Sequence, residues 1–130
     1  MGYRNATVQT NAALGNISLA AETAIATTGP LNLINDSSVV LIQWYFICTI
    51  GTAGVSVTVR VRRGSGLTGG VVNTTPTACT VVAANTYTFS GCYFDTPFSA
   101  ADLQYTLSAQ VGSASANSPV NDVSLIAMVL

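Results

Sequence analysis

The sequence predicts an all-β domain, a single antiparallel β-sandwich of about eight strands with a jelly roll as its form, and three observations lead there. Apolar and polar residues alternate with a period of two in several segments, the period of a strand whose two faces meet different surroundings. Other segments are apolar on both faces and rich in β-branched and aromatic residues, which favours a strand over a buried helix. Gly, Pro, Asn and Asp recur at intervals that suit short strands, and only Ser99 to Leu103 suggests a turn of helix.

Taken in order, Met1 to Leu14 is polar and alanine-containing, and 1–14 is expected as an N-terminal arm reaching a neighbouring subunit, with 15–130 as the sandwich domain. A weak strand at Asn16 to Ala26 runs into Thr28-Gly29-Pro30 and then Asn35-Asp36-Ser37-Ser38. Val39 to Cys48 is apolar on both faces, so a strand covered on both sides is expected, with Trp44 and Phe46 on one face and Tyr45 on the other. Neighbours that point apart cannot form one stacking shelf, and core packing accounts for them better.

After the Gly51-Thr52-Ala53-Gly54 turn, Val55, Val57, Val59 and Val61 share one face, and Ser56, Thr58, Arg60 and Arg62 share the other. The loop from Gly64 to Gly70 follows, then turn residues from Asn73 to Pro76, weak strands at Thr80 to Ala83 and Tyr87 to Phe94, and the turn Asp95-Thr96-Pro97. Leu103, Tyr105, Leu107, Ala109 and Val111 alternate with Gln104, Thr106, Ser108 and Gln110, a polar face with nothing that calls for burial. Beyond the loop from Gly112 to Pro119, Val123 to Leu130 is apolar on both faces and is expected in the middle of a sheet or at a subunit interface.

Charge is scarce. Only 7% of residues are Asp, Glu, Lys or Arg, against roughly 25% in an ordinary soluble domain, while 49% are hydrophobic and Lys and His are absent. A chain of 13.3 kDa folds to a surface of about 6,500 Å², over which so few charges leave large uncharged areas that favour contact with other subunits. A net charge of −1 and a pI near 4.8 draw neither nucleic acid nor anionic membrane. The longest nearly apolar run, Val39 to Ile50, contains Gln43 and is too short for a spanning helix; the N-terminus has no apolar signal region, so synthesis in a host cytoplasm is expected.

Chemistry is correspondingly sparse. Without His and Lys, the usual general base, the Schiff-base amine and the imidazole metal ligand are missing, and no catalytic residue, cofactor, metal or small-molecule substrate is expected. Gly64-Ser65-Gly66-Leu67-Thr68-Gly69 satisfies G-x-G-x-x-G, but the β-branched and turn-forming residues after it, ending in Pro76, give no helix to hold a pyrophosphate. Asp36, Asp95 and Asp122 stand beside turn formers and read as turn caps, and Cys48, Cys79 and Cys92 read as buried reduced thiols. The one polar anchor for a partner is Arg60, Arg62 and Arg63, three of the four basic residues at the end of one strand; the bland reading of them is a solvated face that discourages edge pairing.

The stretch Leu41 to Gly69, with its apolar strand, Gly-Thr-Ala-Gly turn and Val-Ser-Val-Thr-Val-Arg-Val-Arg-Arg-Gly, resembles small jelly-roll structural proteins of tailed bacteriophages. Asp95-Thr96-Pro97, Tyr105 to Ala109 and the closing Val123 to Leu130 fit the same picture, so the likeness covers roughly 14–130. Such domains are similar to the tumour necrosis factor and complement-head sandwiches. The resemblance implies a homotrimer in the virion, a decoration protein that binds the major capsid protein or another virion protein and stabilises the capsid exterior without catalysis. Two alternatives remain: a receptor- or carbohydrate-binding head of a fibre, with recognition in the Gly64 to Gly70 or Gly112 to Pro119 loops, and a shell-forming capsid protein.

Overall fold

The computed structural model describes residues 5–17, 19, 21–31, 33, 39–50, 56–78, 85–97, 103–111 and 118–130. They contain eight strands: β1 (Asn5–Ile17), β2 (Thr23–Thr27), β3 (Val40–Ile50), β4 (Ser56–Arg63), β5 (Val71–Ala78), β6 (Asn85–Asp95), β7 (Tyr105–Val111) and β8 (Ser118–Val129). Two four-stranded sheets have the orders β1-β8-β3-β6 and β2-β7-β4-β5, and every pairing is antiparallel. First pairs with last, second with seventh, third with sixth and fourth with fifth, so the chain is a long hairpin rolled into two sheets. That is the jelly roll which the alternation and turn spacing predict.

The faces divide as the two-residue period requires. Val57, Val59 and Val61 are buried while Thr58, Arg60 and Arg62 are half-buried, and Leu103, Tyr105, Leu107, Ala109 and Val111 all lie in the core. From the other sheet come Val40, Ile42, Trp44, Phe46 and Cys48 of β3 and Val123, Leu125, Ala127 and Val129 of β8. β8 sits between β1 and β3, in mid-sheet as its apolar character demands. Phe46 stacks on Phe89 with ring centroids 4.9 Å apart, and Trp44 lies directly opposite Gly91. A Cβ at Gly91 would come within 2.5 Å of the indole, so only glycine lets Trp44 lie flat against β6.

Four expectations need correction. Residues 5–14, expected in an arm, belong to β1 and pair with β8 from Asn5↔Val129 through Ala12↔Asp122 before a register shift; the polar sequence hides a strand specified by its partner. Asn73 to Pro76 is not a turn but the middle of β5, and Pro76 is tolerated because β5 is an edge strand, where a missing N–H need break no second ladder. The polar face of β7 is covered, with Thr106 and Ser108 buried. Cys48 is buried, but Cys92 is exposed because it lies opposite Gln43 on the outward face; both are thiols. Thr80 to Ala83, Cys79 and residues 99–102 of the helical turn expected from Ser99 to Leu103 fall outside the described residues; Leu103 is described and forms an isolated bridge to Leu31.

Candidate functional site: two outer faces

The outer faces of the two sheets differ in chemistry. On the β2-β7-β4-β5 sheet, Arg62 donates from Nε and Nη2 to the two carboxylate oxygens of Glu22, both at 2.7 Å, and from Nη1 to the Gly69 carbonyl at 2.8 Å. Ser108 donates to the same carboxylate at 2.6 Å. Arg60 lies 3.8 Å from Glu22 and donates to Gln110 at 3.2 Å. The Arg62 bond outweighs the opposing effect of burial, and the carboxyl of Glu22 is held down at about 2.

The glycine loop completes this cover. Gly64 and Gly66 adopt φ of 104° and 105°, conformations that side chains disfavour. The Gly66 amide donates to the Thr106 hydroxyl at 2.9 Å, and that hydroxyl donates to the Gly64 carbonyl at 2.7 Å. Gly64 to Gly69 is therefore a strand connection folded back over β7, and its chemistry is structural.

Arg63 departs from its neighbours. It continues the inward row of Val57, Val59 and Val61 and lies between the sheets, donating to Asp95 at 2.7 and 2.5 Å. The Tyr105 hydroxyl donates to the same carboxylate at 2.7 Å. Asp95 is 4% exposed; besides a bond from the Thr96 backbone at the start of the turn, it is the centre of a buried link between β6 and the other sheet. Burial pushes its carboxyl up, but the bonds from Arg63 and Tyr105 more than offset that and hold it below the ordinary aspartate value. Desolvation and the adjacent carboxylate push the Tyr105 phenol far upward.

The three arginines named by sequence are thus not brought together: Arg60 and Arg62 stand on the outer face, Arg63 between the sheets. Their carboxylate partners lie about 40 residues away in Glu22 and 32 in Asp95, beyond the reach of any local motif. Arg63, with 40% of its side chain exposed, is the most open of the three. Among the described residues no three Cys, Asp or Glu side chains assemble as metal ligands.

The outer face of β8, β3 and β6 is the opposite case. Leu41 and Met128 are half-buried beside Phe94, which is 57% exposed, and Leu130 beyond them is 56% exposed. Among the described residues of these three strands, Asp122 is the one charged group on this face, and it accepts a hydrogen bond from the Tyr45 hydroxyl at 3.0 Å. Next to the apolar corner lies a depression of about 310 Å³ lined by Gln43, Tyr45, Ser90, Ser124 and Ile126, with Trp44 and Gly91 also contributing. β3 is therefore covered on one side and bare on the other, contrary to the expectation from its two-sided apolar sequence. The signal for this surface was present in Leu41, Tyr45 and Ile47, but reading both faces as buried concealed it.

No protein-family model and no curated protein matches the sequence. Solved structures do match the fold. A chain in the structure of infectious bursal disease virus, Gx strain, aligns over 96% of this chain with a TM-score of 0.62 and 11% identity. One in the T13 particle of the same virus aligns over 98% with a TM-score of 0.63 and 7% identity. This chain spans about a third of each, 32% in both cases. Dimeric latent PorU from Porphyromonas gingivalis aligns over 98% of this chain and 13% of its own, with a TM-score of 0.56 and 11% identity. At these identities the likeness is one of fold, a two-sheet antiparallel sandwich with jelly-roll strand order.

Proposed function

We propose that the chain is a virion structural protein, a homotrimeric decoration protein of a bacteriophage that binds the capsid exterior and acts through buried area without a catalytic step. One observation carries the reading: the described arginines are spent on Glu22 and Asp95 and Asp122 is engaged by Tyr45, while the corner formed by Leu41, Phe94 and Met128 is left bare on a face where Asp122 is the one charge among the described residues of β8, β3 and β6. An exposed aromatic amid half-buried aliphatics is what a subunit contact covers. The fold neighbours from virus particles support a virion setting, and the jelly roll is a recurrent architecture for such parts. Arg60, Arg62 and Arg63 keep 25%, 16% and 40% of their side chains exposed, enough for Arg63 above all to meet a capsid subunit once per protomer, and repetition about a threefold multiplies weak contacts.

Sedimentation across a dilution series tests the assembly. The expected species has three times the 13.3 kDa chain mass, and Phe94→Asp, an exposed position whose change leaves the core intact, dissociates it to folded monomers. Co-sedimentation with capsids lacking the protein tests the partner. A parent protein that is monomeric at all concentrations, or a Phe94→Asp variant that still forms trimers, overturns the assembly reading.

A further inference from the structure

We propose that the depression on the outer face of β8, β3 and β6 binds a neutral sugar ring, one hexopyranose unit of a glycan. Its volume of about 310 Å³ lies at the lower end for small-molecule sites and suits a single ring rather than a large cofactor. Tyr45 supplies an aromatic wall, 36% exposed, against which the C–H face of a pyranose can stack. Its hydroxyl is fixed on Asp122 at 3.0 Å, so the ring is held in place before any ligand arrives.

The polar groups around Tyr45 are the uncommitted ones. Gln43 and Ser90 are exposed, and neither their side chains nor that of Ser124 forms a hydrogen bond among the described residues. Ser124 is the telling case, because it is only 8% exposed and a buried hydroxyl without a partner is costly. It lines the depression, where a ligand hydroxyl would satisfy it. An amide and two hydroxyls that both donate and accept match a polyhydroxylated ligand. The one carboxylate nearby, Asp122, is engaged by Tyr45, and no cation stands on the described part of this face, so a phosphate or an acidic sugar would find no counter-charge. This recognition lies on a sheet face, not in the loops where sequence reasoning would look for it, and it is separate from the apolar corner at Phe94.

The test titrates the purified protein with maltohexaose, cellohexaose, mannohexaose and chitohexaose, reading the emission of Trp44. It is the single tryptophan of the chain and lines the depression. Calorimetry on the same samples confirms binding. At least one of these neutral probes is expected to bind with Kd below about 1 mM. Tyr45→Ala and Gln43→Ala then weaken binding about tenfold or more, whereas Tyr45→Phe, which keeps the ring, weakens it less. Ser124→Ala weakens binding while leaving the thermal midpoint unchanged or higher, since it removes a hydroxyl with no partner among the described residues. No binding by any probe at about 10 mM, or a Tyr45→Ala variant that binds as the parent does, overturns the proposal. Sedimentation of the same samples keeps the two readings apart: a trimer that binds no sugar sinks only this one, and a sugar-binding monomer sinks only the assembly.

Discussion

Replacing Asp95 by alanine removes the carboxylate that ties β6 to Arg63 and Tyr105 of the opposite sheet. Two charge-assisted bonds from Arg63 and one from the Tyr105 hydroxyl are lost together. Arg63 recovers part of its share, because 40% of its side chain already meets solvent; Tyr105, at 0% exposure, recovers nothing. An unsatisfied buried hydroxyl costs about 1–3 kcal/mol and lost bonds to a charged group about 1.5–3 kcal/mol. Allowing for rehydration of the guanidinium, the total is about 3 kcal/mol, below the upper end for breaking a fully buried pair. With a urea slope of about 1.5–2 kcal/mol/M for a domain of this size, the midpoint falls by about 1.5–2 M. Urea unfolding at pH 7, followed by Trp44 emission, measures it. Tyr105→Phe alone costs about 1 kcal/mol, and a double-mutant cycle with Asp95→Ala returns a coupling of similar size. An Asp95→Ala variant within about 0.5 kcal/mol of the parent, or a cycle with no coupling, would refute the reasoning.

Two further outcomes follow from contacts described above. Gly91→Ala sets a Cβ within 2.5–2.9 Å of the Trp44 indole, so the ring must shift; a loss of about 1–3 kcal/mol with a changed emission maximum is expected, and a neutral substitution would show that Trp44 does not rest on β6. Glu22 is held down at about 2 from an ordinary 4.5, so its pairing stabilises the fold fully above pH 4.5 and is lost as pH falls toward 2. Thermal midpoints between pH 6 and pH 2 should therefore fall less steeply in Glu22→Gln than in the parent, while at pH 6 the variant is less stable by about 1 kcal/mol; parallel curves would count against the pairing.

What the sequence disclosed, and what it withheld, follows the range of the forces involved. The faces of β4 and β7 were legible because Val57, Val59, Val61 and the residues from Leu103 to Val111 carry the period themselves. β1 was not, because Asn5 to Ile17 has little apolar alternation and takes its register from β8, at the other end of the chain. Burial of Thr106 and Ser108 comes from Gly64, Gly66 and Glu22, none of them near in sequence. The arginine group was visible, but the carboxylates that divide it between an outer face and the interior were not. The depression escaped notice for a related reason: Gln43, Tyr45, Ser90 and Ser124 come from three strands, and only their pairing assembles them.

The nested pairing also sets a schedule. β8 lies between β1 and β3, yet it is translated after both, so a nascent chain holding the first seven strands has a gap one strand wide in the middle of a sheet. β1 then has no neighbour to pair with, and β3 bears one open ladder until residues 118–129 arrive. The domain cannot be completed piecemeal during synthesis; it closes late, through its most distant contacts, as the slow folding of non-local β topologies requires. Messages truncated before Ser118 should yield chains that aggregate rather than a smaller sandwich.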